Sequence, residues 1–474
     1  MKNFAAIVLA AGKGTRMKSA LPKVLHPVAG APMIHYPIAA LSSLSPEAVV
    51  VVIGYGRDEV QSALASKKVR FAVQESQRGT GHAVLCGLAR LAGFKGDVLI
   101  LSGDVPLITV ATLKAFLRFH RQRRANLPVI SLITMMLPDP TGYGRVIRDE
   151  NGAVVAIVED KDCNAEQKGI NEVNSGIYLA DAGFLSANIK KLGTKNAQGE
   201  YYLPDLISIA ARAGLPVSAL THLVPQEVMG INNRVELAAA NRVMRARALD
   251  RLMLSGVSVV HPEATYIDST VKIGVDTVIH PGAHITGKTV IGPRCSIEAG
   301  AMIHDSIIGE SSTIKAYSVI ESTKAGKAVV IGPFARLRPG ARLSEGVRIG
   351  NFVEVKKSVI GKGTKANHLS YIGDAVIGSG VNIGAGTITC NYDGVSKHLT
   401  RIGDRAFIGS DTQLVAPVKI GKGAYVGSGT TVTRNVPAGA LVITRAEERV
   451  IEGWADKKMM KKIRGRRENP LIRP

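Results

Sequence analysis

Residues 402–432 read IGDRAFIGSDTQLVAPVKIGKGAYVGSGTTV, and an aliphatic residue returns at every sixth position of this stretch. The same six-residue register recurs in several runs from about Val271 to Val436. Its aliphatic members are Ile273, Ile279, Ile285, Ile291, Ile297, Ile303, Ile308, Ile314, Ile320, Ile331, Leu337, Leu343, Ile349, Val355, Ile402, Ile408, Leu414, Ile420, Val426 and Val432. Gly follows many of these positions, as at Ile331-Gly332, and suits a tight corner.

This hexapeptide period predicts the fold of the second half of the chain. A six-residue step fits one short strand plus a corner, so three steps close a triangular coil with the aliphatic residues inside. Each coil buries its interior only by stacking on its neighbours. An all-β sandwich is the alternative, but period-2 alternation does not preserve a six-residue register over so many turns. We therefore predict a left-handed parallel β-helix.

Length and composition predict a cytoplasmic protein of more than one domain. At 474 residues the chain exceeds a single hydrophobic core, so we expect two or three domains. No apolar run approaches the ~20 residues of a membrane span, and the N-terminus lacks the apolar segment of a secretory signal. The cysteines (Cys86, Cys163, Cys295 and Cys390) are far apart without metal-ligand spacing, so we expect free thiols.

The formal charge of +22 indicates anionic ligands without identifying them. It suits nucleotides, sugar phosphates or coenzyme A, and equally nucleic acid or an anionic membrane surface. The segment from Ala446 to the end contains a basic cluster, but its nine basic and five acidic residues contribute only +4. We expect a partly disordered basic tail from about residue 446 rather than a nucleic-acid-binding element.

A Gly-rich segment follows the first apolar run of the chain. Phe4 to Leu9 leads into residues 10–17, AAGKGTRM. A strand that ends in such a loop presents backbone N–H groups to phosphate, and Lys13, Arg16 and Lys23 can add positive charge. The segment matches neither GxGxxG nor the P-loop pattern, which excludes both motifs. A plain strand-to-helix turn is the alternative.

Strands and helices alternate after this loop. We predict strands near Ala48–Ile53, Val69–Val73 and Val98–Leu101, and helices near 58–66 and 82–91. The alternation indicates a Rossmann-like, mostly parallel sheet, whose ligands sit beyond the carboxyl ends of the strands. Asp104 lies at such an end, where a carboxylate can hold Mg²⁺ at phosphate oxygens or simply cap a turn.

A long amphipathic helix is predicted between the two halves of the chain. Its apolar positions are Val235, Leu237, Ala238, Val243, Met244, Ala248, Leu249 and Leu252. We expect its arginines to form a mostly solvated face; they are Arg234, Arg242, Arg245, Arg247 and Arg251. We predict a first domain over residues 1–234, a helical arm over 235–255 and a β-helix domain with its tail over 256–474.

Polar residues interrupt the aliphatic step within a few coils of the predicted β-helix. Cations gather at Arg336, Arg338, Lys356 and Lys357. The segment 365–371 carries His368 and breaks the step, and the segment 389–395 reads as an inserted loop. An isolated His is more often structural, but one flanked by cations suits a general base, because imidazole titrates near neutrality.

The motifs quoted so far extend into a longer series. It comprises residues 9–17 (LAAGKGTRM), 21–23 (LPK), 74–75 (QE), 79–83 (GTGHA), 102–104 (SGD), 142–145 (GYGR), 158–159 (VE), 174–177 (NSGI) and 230–233 (GINN). This series resembles the sugar-nucleotidyltransferase family. With the β-helix behind it, the chain up to about Trp454 resembles the family of bifunctional N-acetylglucosamine-1-phosphate uridyltransferases and glucosamine-1-phosphate acetyltransferases.

The resemblance implies a uridylyl-transfer site in the first domain. It assigns UDP-N-acetylglucosamine binding to Leu9, Ala10, Ala11, Gly12, Lys23, Gln74, Gly79, Thr80, Ser102, Gly103, Asp104, Gly144, Glu159, Asn174 and Asn232. It implies Mg²⁺ at Asp104 and Asn232, with Lys23 steadying the attacking phosphate and Arg16 the leaving pyrophosphate. Ser102 stands where many members carry Tyr, so only its backbone contact is carried over.

The resemblance implies a second site in the β-helix. Its assignments are His368 as general base, Arg338, Lys356, Tyr371 and Asn382 for the sugar phosphate, and Ala385, Asn391, Tyr392, Ser410, Ser428 and Arg445 for acetyl-CoA. Residues 332–340 (GPFARLRPG) and 351–356 (NFVEVK) carry the match. Ser428 replaces a frequent Ala, so its backbone role alone is carried over. The family forms trimers in which each acetyl-transfer site is shared between subunits.

The implied function is acetylation of glucosamine 1-phosphate by acetyl-CoA, then uridylyl transfer from UTP to N-acetylglucosamine 1-phosphate. We expect a homotrimer that binds neither nucleic acid nor the membrane interior. A monofunctional nucleotidyltransferase with a structural or regulatory β-helix is one alternative, but it leaves His368, Tyr371, Asn382 and the Asn391-Tyr392 loop without a purpose. A non-catalytic assembly subunit is another, but it predicts decay of Gly12, Arg16, Lys23 and Asp104, which are all present.

Overall fold

The computed structural model describes residues 3–122, 127–445 and 447–467. Contacts divide these residues into two compact units. The first comprises the described residues up to Ile273 together with Pro281–Thr289, and the second comprises Gly274–His280 together with the described residues from Val290 onward. The domain boundaries at 234 and 256 stay a prediction, and by contacts the first unit extends beyond both.

The first unit is built on a mixed sheet of nine strands. In chain order the strands of this part are β1 (Phe4–Ala10), β2 (Pro27–Val28), β3 (Ala31–Pro32), β4 (Val49–Ile53), β5 (Arg70–Val73), β6 (Asp97–Ser102), β7 (Ile130–Met136), β8 (Arg145–Arg148), β9 (Val154–Val158), β10 (Glu172–Asp181) and β11 (Val217–His222). β2 and β3 form a separate hairpin. The sheet order is β11-β7-β10-β6-β1-β4-β5, and β8 joins β9 to β10.

The predicted mostly parallel sheet is confirmed, although β8 and β10 add antiparallel pairings, β8 with both β9 and β10. β1 runs parallel to β4 and β6, and Val8 lies opposite Val51 and Leu101. All five residues of β4, VVVVI, are buried, as expected for a strand covered on both faces. β10 departs from the pattern because it is antiparallel to both β6 and β7.

Helices cover both faces of this sheet. In chain order the helices are α1 (His35–Ser42), α2 (Arg57–Ala63), α3 (Thr80–Leu88), α4 (Val110–Arg121), α5 (Ala165–Lys168), α6 (Ala182–Asn188), α7 (Asp205–Arg212), α8 (Pro225–Val228) and α9 (Arg234–Leu254). Of these, α1, α2, α4 and α8 pack into the apolar core on one face and α3, α6 and α7 into the core on the other. Alternate residues of β1 enter two apolar cores, with Ala6 and Val8 in one and Ala5 and Ile7 in the other. The carboxyl ends of the strands are thereby left as the open edge.

The long helix expected after Asn232 is α9. Its buried residues are Leu237, Ala240, Met244, Ala248, Leu249 and Leu252. Two predicted apolar positions, Val235 and Ala238, are exposed, because the helix buries one narrower stripe. Arg247 is not simply solvated, since it donates to Leu107 O at 2.7 Å and to Glu227 Oε1 at 3.1 Å.

Short parallel strands form the predicted β-helix. In the second unit one stack contains Val278–Ile279, Ser296–Ile297, Thr313–Ile314, Val330–Ile331, Asn382–Ile383, Phe407–Ile408, Tyr425–Val426 and Leu441–Val442. A second contains Met302–His304, Val319–Glu321, Arg336–Leu337, Ile388–Cys390, Gln413–Val415 and Thr431–Val432. The strands Arg348–Lys356 and Lys365–Gly373 run through both stacks.

A third stack completes the triangular coil. It contains Val290–Ile291, Ile307–Ile308, Lys324–Ala325, Arg342–Leu343, Val359–Ile360, Ala375–Ile377, Thr400–Ile402 and Val418–Ile420. The repeat strands of the first unit are Ser258–Val259, Tyr266–Ile267, Lys272–Ile273 and His284–Thr286. Every aliphatic position of the predicted register is buried except Ile273, which is half-buried. Stacked ladders such as Ile314, Ile331 and Ile349 fill the interior.

Two predicted interruptions of the coil are wrong in part. Residues 365–371 lie inside the strand Lys365–Gly373, where Ala366 is fully buried between Ile349 and Ile383. A small inward side chain therefore keeps the register. The predicted loop 389–395 begins later, because Ile388–Cys390 is a strand and buried Thr389 pairs with Leu414.

Part of the basic tail predicted from about residue 446 is helical, and residues 446 and 468–474 lie outside the described residues. Helix α10 spans Trp454–Arg467. Lys, Arg, Met and Ala, which are good helix formers, make up most of it, and Asp456 lies favourably in its first turn. Residues 454–462 are exposed. None of the helices in the described part of the chain is long and apolar enough to cross a membrane.

Candidate active sites

A cavity of about 440 Å³ opens at the carboxyl ends of β1 and β6. Twelve of the predicted nucleotide-sugar residues line it: Leu9, Ala11, Gly12, Gln74, Gly79, Thr80, Ser102, Asp104, Gly144, Glu159, Asn174 and Asn232. Arg16 lines it as well. Ala10, Lys23 and Gly103 adjoin this lining, and Gly103 N donates to Leu9 O at 2.8 Å. The structure thus gathers residues from across 224 positions of the sequence.

The Gly-rich loop after β1 brings Lys23 back to the cavity. Gly14 adopts φ 61°, and a Cβ there would lie 2.5 Å from Lys23 Cβ. A short 3₁₀ turn, Thr15–Met17, follows and carries Arg16. Glycine at position 14 therefore permits both the left-handed turn and the close approach of the Lys23 stem.

Lys23 and Arg16 converge on the two predicted metal ligands. The Lys23 ammonium contacts Asp104 Oδ2 and donates to Asn232 Oδ1 at 2.8 Å. Arg16 Nη2 donates to the same amide oxygen at 2.9 Å. Asp104 is only 9% exposed, so its charge acts in a partly desolvated setting where cations are attracted strongly.

This donor set fits Mg²⁺. Mg²⁺ prefers oxygen ligands, takes one or two from the protein and completes its shell with water and substrate phosphate. Asp104 supplies a carboxylate and Asn232 an amide oxygen, and a cation, the Lys23 ammonium, already contacts both. Among the described residues no cluster of three or more His, Cys, Asp or Glu could hold a metal ion by itself.

Rigid backbone shapes the end of the cavity near α3. Gln74 Nε2 donates to Gly79 O at 3.1 Å and lies 3.0 Å from His82 Nδ1. Gly79 has φ 104°, and a Cβ there would lie 2.7 Å from Tyr201 O. Thr80 begins α3, and its hydroxyl accepts a hydrogen bond of 3.0 Å from Leu203 N. These contacts fix the backbone groups that face the cavity.

The opposite end is formed by Gly144, Glu159 and Asn174. Asn174 Nδ2 donates to Tyr178 Oη at 2.6 Å, and its Oδ1 accepts from Gly176 N at 3.0 Å. Burial, reinforced by neighbouring acidic residues, raises the pKa of Glu159 to about 7. A Cβ at Gly144 would lie 2.9 Å from Ile157 Cγ2 and 3.3 Å from Glu159 Oε1, so glycine permits the close approach of these two side chains.

Several cavity residues had no signal in the sequence analysis. They are Gln77, Tyr178, Glu200, Leu203 and Pro204. Tyr143 lines the cavity within the quoted motif 142–145, and neighbouring Arg145 is buried, contacts Tyr143 O and pairs with Asp160 at 3.0 Å. The motif therefore indicated the right segment without distinguishing the lining tyrosine from the supporting arginine.

His368 borders a second cavity, of about 530 Å³, on the β-helix. Its Nδ1 lies 3.2 Å from Oδ1 of Asn351, which lines the same cavity. Lys315 and Arg348 add positive charge to the lining. The predicted base therefore stands exposed in a cationic cleft, with one ring nitrogen held by an amide.

The predicted sugar-phosphate residues divide between two strand stacks. Arg338 Nη1 donates to Glu354 Oε1 at 2.8 Å, and Glu354 lies opposite Tyr371 in the register. Asn382 lies opposite Lys365 on the other stack. None of Arg338, Lys356, Tyr371 and Asn382 is among the described residues that line the His368 cavity. A single chain thus does not gather the predicted residues in that cavity.

Lys397 is a cation that the sequence analysis missed. Contact with Lys356 and repulsion between the two ammonium groups lower the pKa of Lys397, while Asp374 and Tyr371 act in the opposite direction. The loop that carries Lys397 is closed by a bridge between Tyr392 and Lys397. The two lysines thus face each other near Tyr371 and Asp374. The insertion after Cys390 was the only signal of Lys397 in the sequence.

The residues assigned to acetyl-CoA lie along the later coils. Asn391 is buried and donates to Asp374 Oδ2 at 2.5 Å, whereas Tyr392 is exposed. Ala385 O accepts from Asp411 N at 2.6 Å. Ser410, Ser428 and Arg445 are exposed. Four of the six positions thus lie on the surface, and among the described residues no hydrogen bond or ion pair joins any of the six to His368.

Matches to known proteins follow the same division of the chain. Residues 6–134 match the family described as MobA-like NTP transferase domain. Residues 263–341 match the GMPPB C-terminal domain, and residues 399–434 match six bacterial transferase hexapeptide repeats. The first match covers the Gly-rich loop and Asp104, and the last covers the repeat between Leu399 and Arg434.

Curated relatives named bifunctional protein GlmU match almost the full length. The protein of Pelobacter propionicus is 52% identical over 455 residues, which are 96% of this chain and 98% of the relative. That of Geotalea uraniireducens is 51% identical over 459 residues, 97% of this chain and 100% of the relative. The chain belongs to the GlmU family. A GlmU protein of Geobacter sulfurreducens is 48% identical over 472 residues, 96% of this chain and 98% of the relative.

Membership in the GlmU family confirms the predicted function class. The chain is a bifunctional enzyme of UDP-N-acetylglucosamine synthesis, with uridyltransferase and acetyltransferase activities. The monofunctional alternative is not favoured, because GlmU relatives match both halves of the chain.

Proposed function

We propose that the cavity at the carboxyl ends of β1 and β6 catalyses uridylyl transfer. An oxygen of N-acetylglucosamine 1-phosphate attacks the α-phosphorus of UTP, the new P–O bond forms, and pyrophosphate leaves. The convergence of Lys23, Arg16, Asp104 and Asn232 at one point of this cavity carries the proposal. Nucleotidyl transfer needs alignment and charge neutralisation more than covalent help from the protein.

The cations and oxygens of this cluster have separate roles. Lys23 holds the attacking phosphate, and Arg16 holds the leaving pyrophosphate. Asp104 and Asn232 hold Mg²⁺, which when bound neutralises phosphate charge. The nucleotide rests on the backbone of residues 9–12, on Gln74, Gly79 and Thr80, and on the backbone of residues 102–103. Gly144, Glu159 and Asn174 hold the N-acetylglucosamine.

We propose that His368 is the general base of acetyl transfer. The amine of glucosamine 1-phosphate attacks the thioester carbonyl of acetyl-CoA, and its proton passes to Nε2 of His368. The C–S bond then breaks, and the coenzyme A thiolate leaves with the bonding electron pair. Asn351 orients the ring through Nδ1. Arg338, Lys356, Tyr371 and Asn382 hold the sugar phosphate, with Lys397 beside Lys356.

We further propose a cytoplasmic homotrimer whose acetyl-transfer sites are shared between subunits. One observation supports this proposal: the lining of the cavity that His368 borders includes none of Arg338, Lys356, Tyr371 and Asn382 of the same chain. The acetyl-CoA residues Ala385, Asn391, Tyr392, Ser410, Ser428 and Arg445 then face the acceptor site across a subunit boundary. Small anionic substrates, rather than nucleic acid, account for the cationic clusters at both sites.

One assay tests both proposed reactions. Purified protein is given glucosamine 1-phosphate, acetyl-CoA, UTP and Mg²⁺, and coenzyme A thiol and pyrophosphate are followed separately. We expect thiol release to precede pyrophosphate release, because the acetylated sugar is the uridylyl acceptor. Omission of acetyl-CoA should stop both. Pyrophosphate release without acetyl-CoA would contradict the proposed order, and absence of thiol release would contradict the second site.

A further inference from the structure

Asn232 is held in place by a carboxylate from the first turn of α9. Asn232 N donates to Glu236 Oε2 at 2.6 Å, and the Asn233 side-chain amide donates to Glu236 Oε1 at 2.5 Å. Asn233 caps α9 by accepting from the N–H groups of Val235 and Glu236 at 2.9 and 3.0 Å. The arrangement is a capping box whose acidic member reaches one residue beyond the cap.

A second contact orients the Asn232 side chain. Its Nδ2 donates to Gly230 O at 3.2 Å, which directs Oδ1 to Lys23 and Arg16. The segment is itself tied to the end of β6, because Ile231 N donates to Asp104 O at 2.9 Å. Glu236 and Gly230 therefore fix the backbone and the side chain of Asn232 independently.

The Glu236 carboxylate also acts electrostatically on the cavity. Burial raises the pKa of Tyr143 to about 12, and the charges of Glu236 and Asp104 contribute. Tyr143 lines the cavity. The charge of Glu236 therefore acts on a residue of the cavity lining. The carboxylate oxygens of Glu236 themselves accept hydrogen bonds from Asn232 and Asn233.

We propose that Glu236 is a positioning residue of the uridylyl-transfer site, which holds the Asn232 amide oxygen where it and Asp104 share one cation. The inference rests on the proposed function, since it assumes that Asp104 and Asn232 hold the metal. Glu236 acts through Asn232 and touches neither substrate nor metal. Residues that orient metal ligands in this way ordinarily contribute about 10–100-fold to metal affinity or activity.

Direct binding of Mn²⁺, a spectroscopic substitute for Mg²⁺, tests this role. The full chain is titrated with Mn²⁺ in the presence of UDP-N-acetylglucosamine, and free Mn²⁺ is measured by electron paramagnetic resonance. We expect Glu236→Ala to raise the dissociation constant about tenfold. Glu236→Gln keeps an oxygen that can accept from Asn232 N, so it should restore affinity to within about threefold of the original.

Controls separate positioning from folding. Asp250→Asn removes an exposed acid from the same helix and should leave Mn²⁺ affinity unchanged. Thiol release should be unchanged in all variants, because the acetyl-transfer site lies on the β-helix. Glu236→Ala could lower the midpoint of thermal unfolding. In that case Glu236→Asp replaces it, because this variant keeps the charge but withdraws the carboxylate by one methylene. It should raise the dissociation constant for Mn²⁺ by a similar factor.

Two outcomes would overturn different claims. If Asn232→Ala loses Mn²⁺ while Glu236→Ala and Glu236→Asp bind it normally, the positioning role is wrong and the metal site stands. If Asn232→Ala and Asp104→Asn also bind Mn²⁺ normally, the proposed metal site is itself wrong. The Mg²⁺ dependence of pyrophosphate release is a second measurement. If loss of Glu236 displaces Asn232, the half-saturating Mg²⁺ concentration should rise, and kcat at saturating Mg²⁺ should change little.

Discussion

Nδ1 of His368 lies 3.2 Å from Oδ1 of Asn351, the residue opposite it in the parallel register of neighbouring coils. Because an amide oxygen only accepts hydrogen bonds, this contact places the proton on Nδ1 and leaves the lone pair of Nε2 available. The β-helix register itself thus selects the tautomer that a general base needs.

Replacement of Asn351 by leucine should impair that selection. Loss of a general base ordinarily costs ~10²–10⁴ in rate, so loss of its orientation should lower kcat for acetyl transfer roughly tenfold. KM for glucosamine 1-phosphate should change little. Steady-state thiol release measures both constants. Asn367→Leu makes the same change in the same cavity and should keep the rate. Equal loss in both variants would point to a general disturbance of the cavity.

Lys397→Met should weaken binding of the anionic acceptor. Lys397 faces Lys356, and removing one of two paired cations from a phosphate site should raise KM for glucosamine 1-phosphate about tenfold. The KM for acetyl-CoA and the rate of pyrophosphate release should stay unchanged. Lys419→Met removes an exposed lysine from the strand Val418–Ile420 and is the matched control. An unchanged KM in Lys397→Met would remove Lys397 from the site.

Glu159 should make the free energy of unfolding decrease as the pH rises. Its pKa is raised from 4.5 to about 7, first by burial and then by Asp162 and other acids. The folded protein therefore disfavours the ionised form, so this group lowers stability progressively between about pH 4.5 and 7. Glu159→Gln should melt near the wild type at pH 4.5 and above it at pH 8. Differential scanning fluorimetry measures both, with exposed Glu166→Gln as control. Parallel pH curves for wild type and Glu159→Gln would contradict the raised pKa.

The β-helix was predictable because its information is local. Each coil is specified by one aliphatic residue per six positions, and every such position except Ile273 is buried. Ala366 shows the limit of this rule. A small inward residue keeps the register of the coil, yet in the sequence it reads as a break.

Pairings between residues distant in the chain were harder to predict from the sequence. The antiparallel insertion of β10 between β6 and β7 depends on contacts that no periodicity reveals. The contact between Lys397 and Lys356, which are 41 positions apart, also has no sequence signal of this kind. Neither does the hydrogen bond from Asn232 N to Glu236, in which a helix-capping residue has a second role. The nucleotide loop and Asp104 were found because short motifs place them at strand ends.

The helical tail shows a different limit. The charge cluster from Lys457 to Arg467 suggested disorder, but the same residues are good helix formers, and α10 spans Trp454–Arg467. Composition is consistent with the exposure of residues 454–462. It did not distinguish an exposed helix from an irregular chain.

The two-site account is tested most directly by giving His368→Ala and Lys23→Ala, in parallel assays, the two possible sugar substrates. With glucosamine 1-phosphate, acetyl-CoA, UTP and Mg²⁺, His368→Ala should release neither thiol nor pyrophosphate. It should release pyrophosphate at the wild-type rate from N-acetylglucosamine 1-phosphate. Lys23→Ala should release thiol normally and pyrophosphate from neither sugar. Loss of pyrophosphate release from N-acetylglucosamine 1-phosphate in His368→Ala, or of thiol release in Lys23→Ala, would contradict two independent sites.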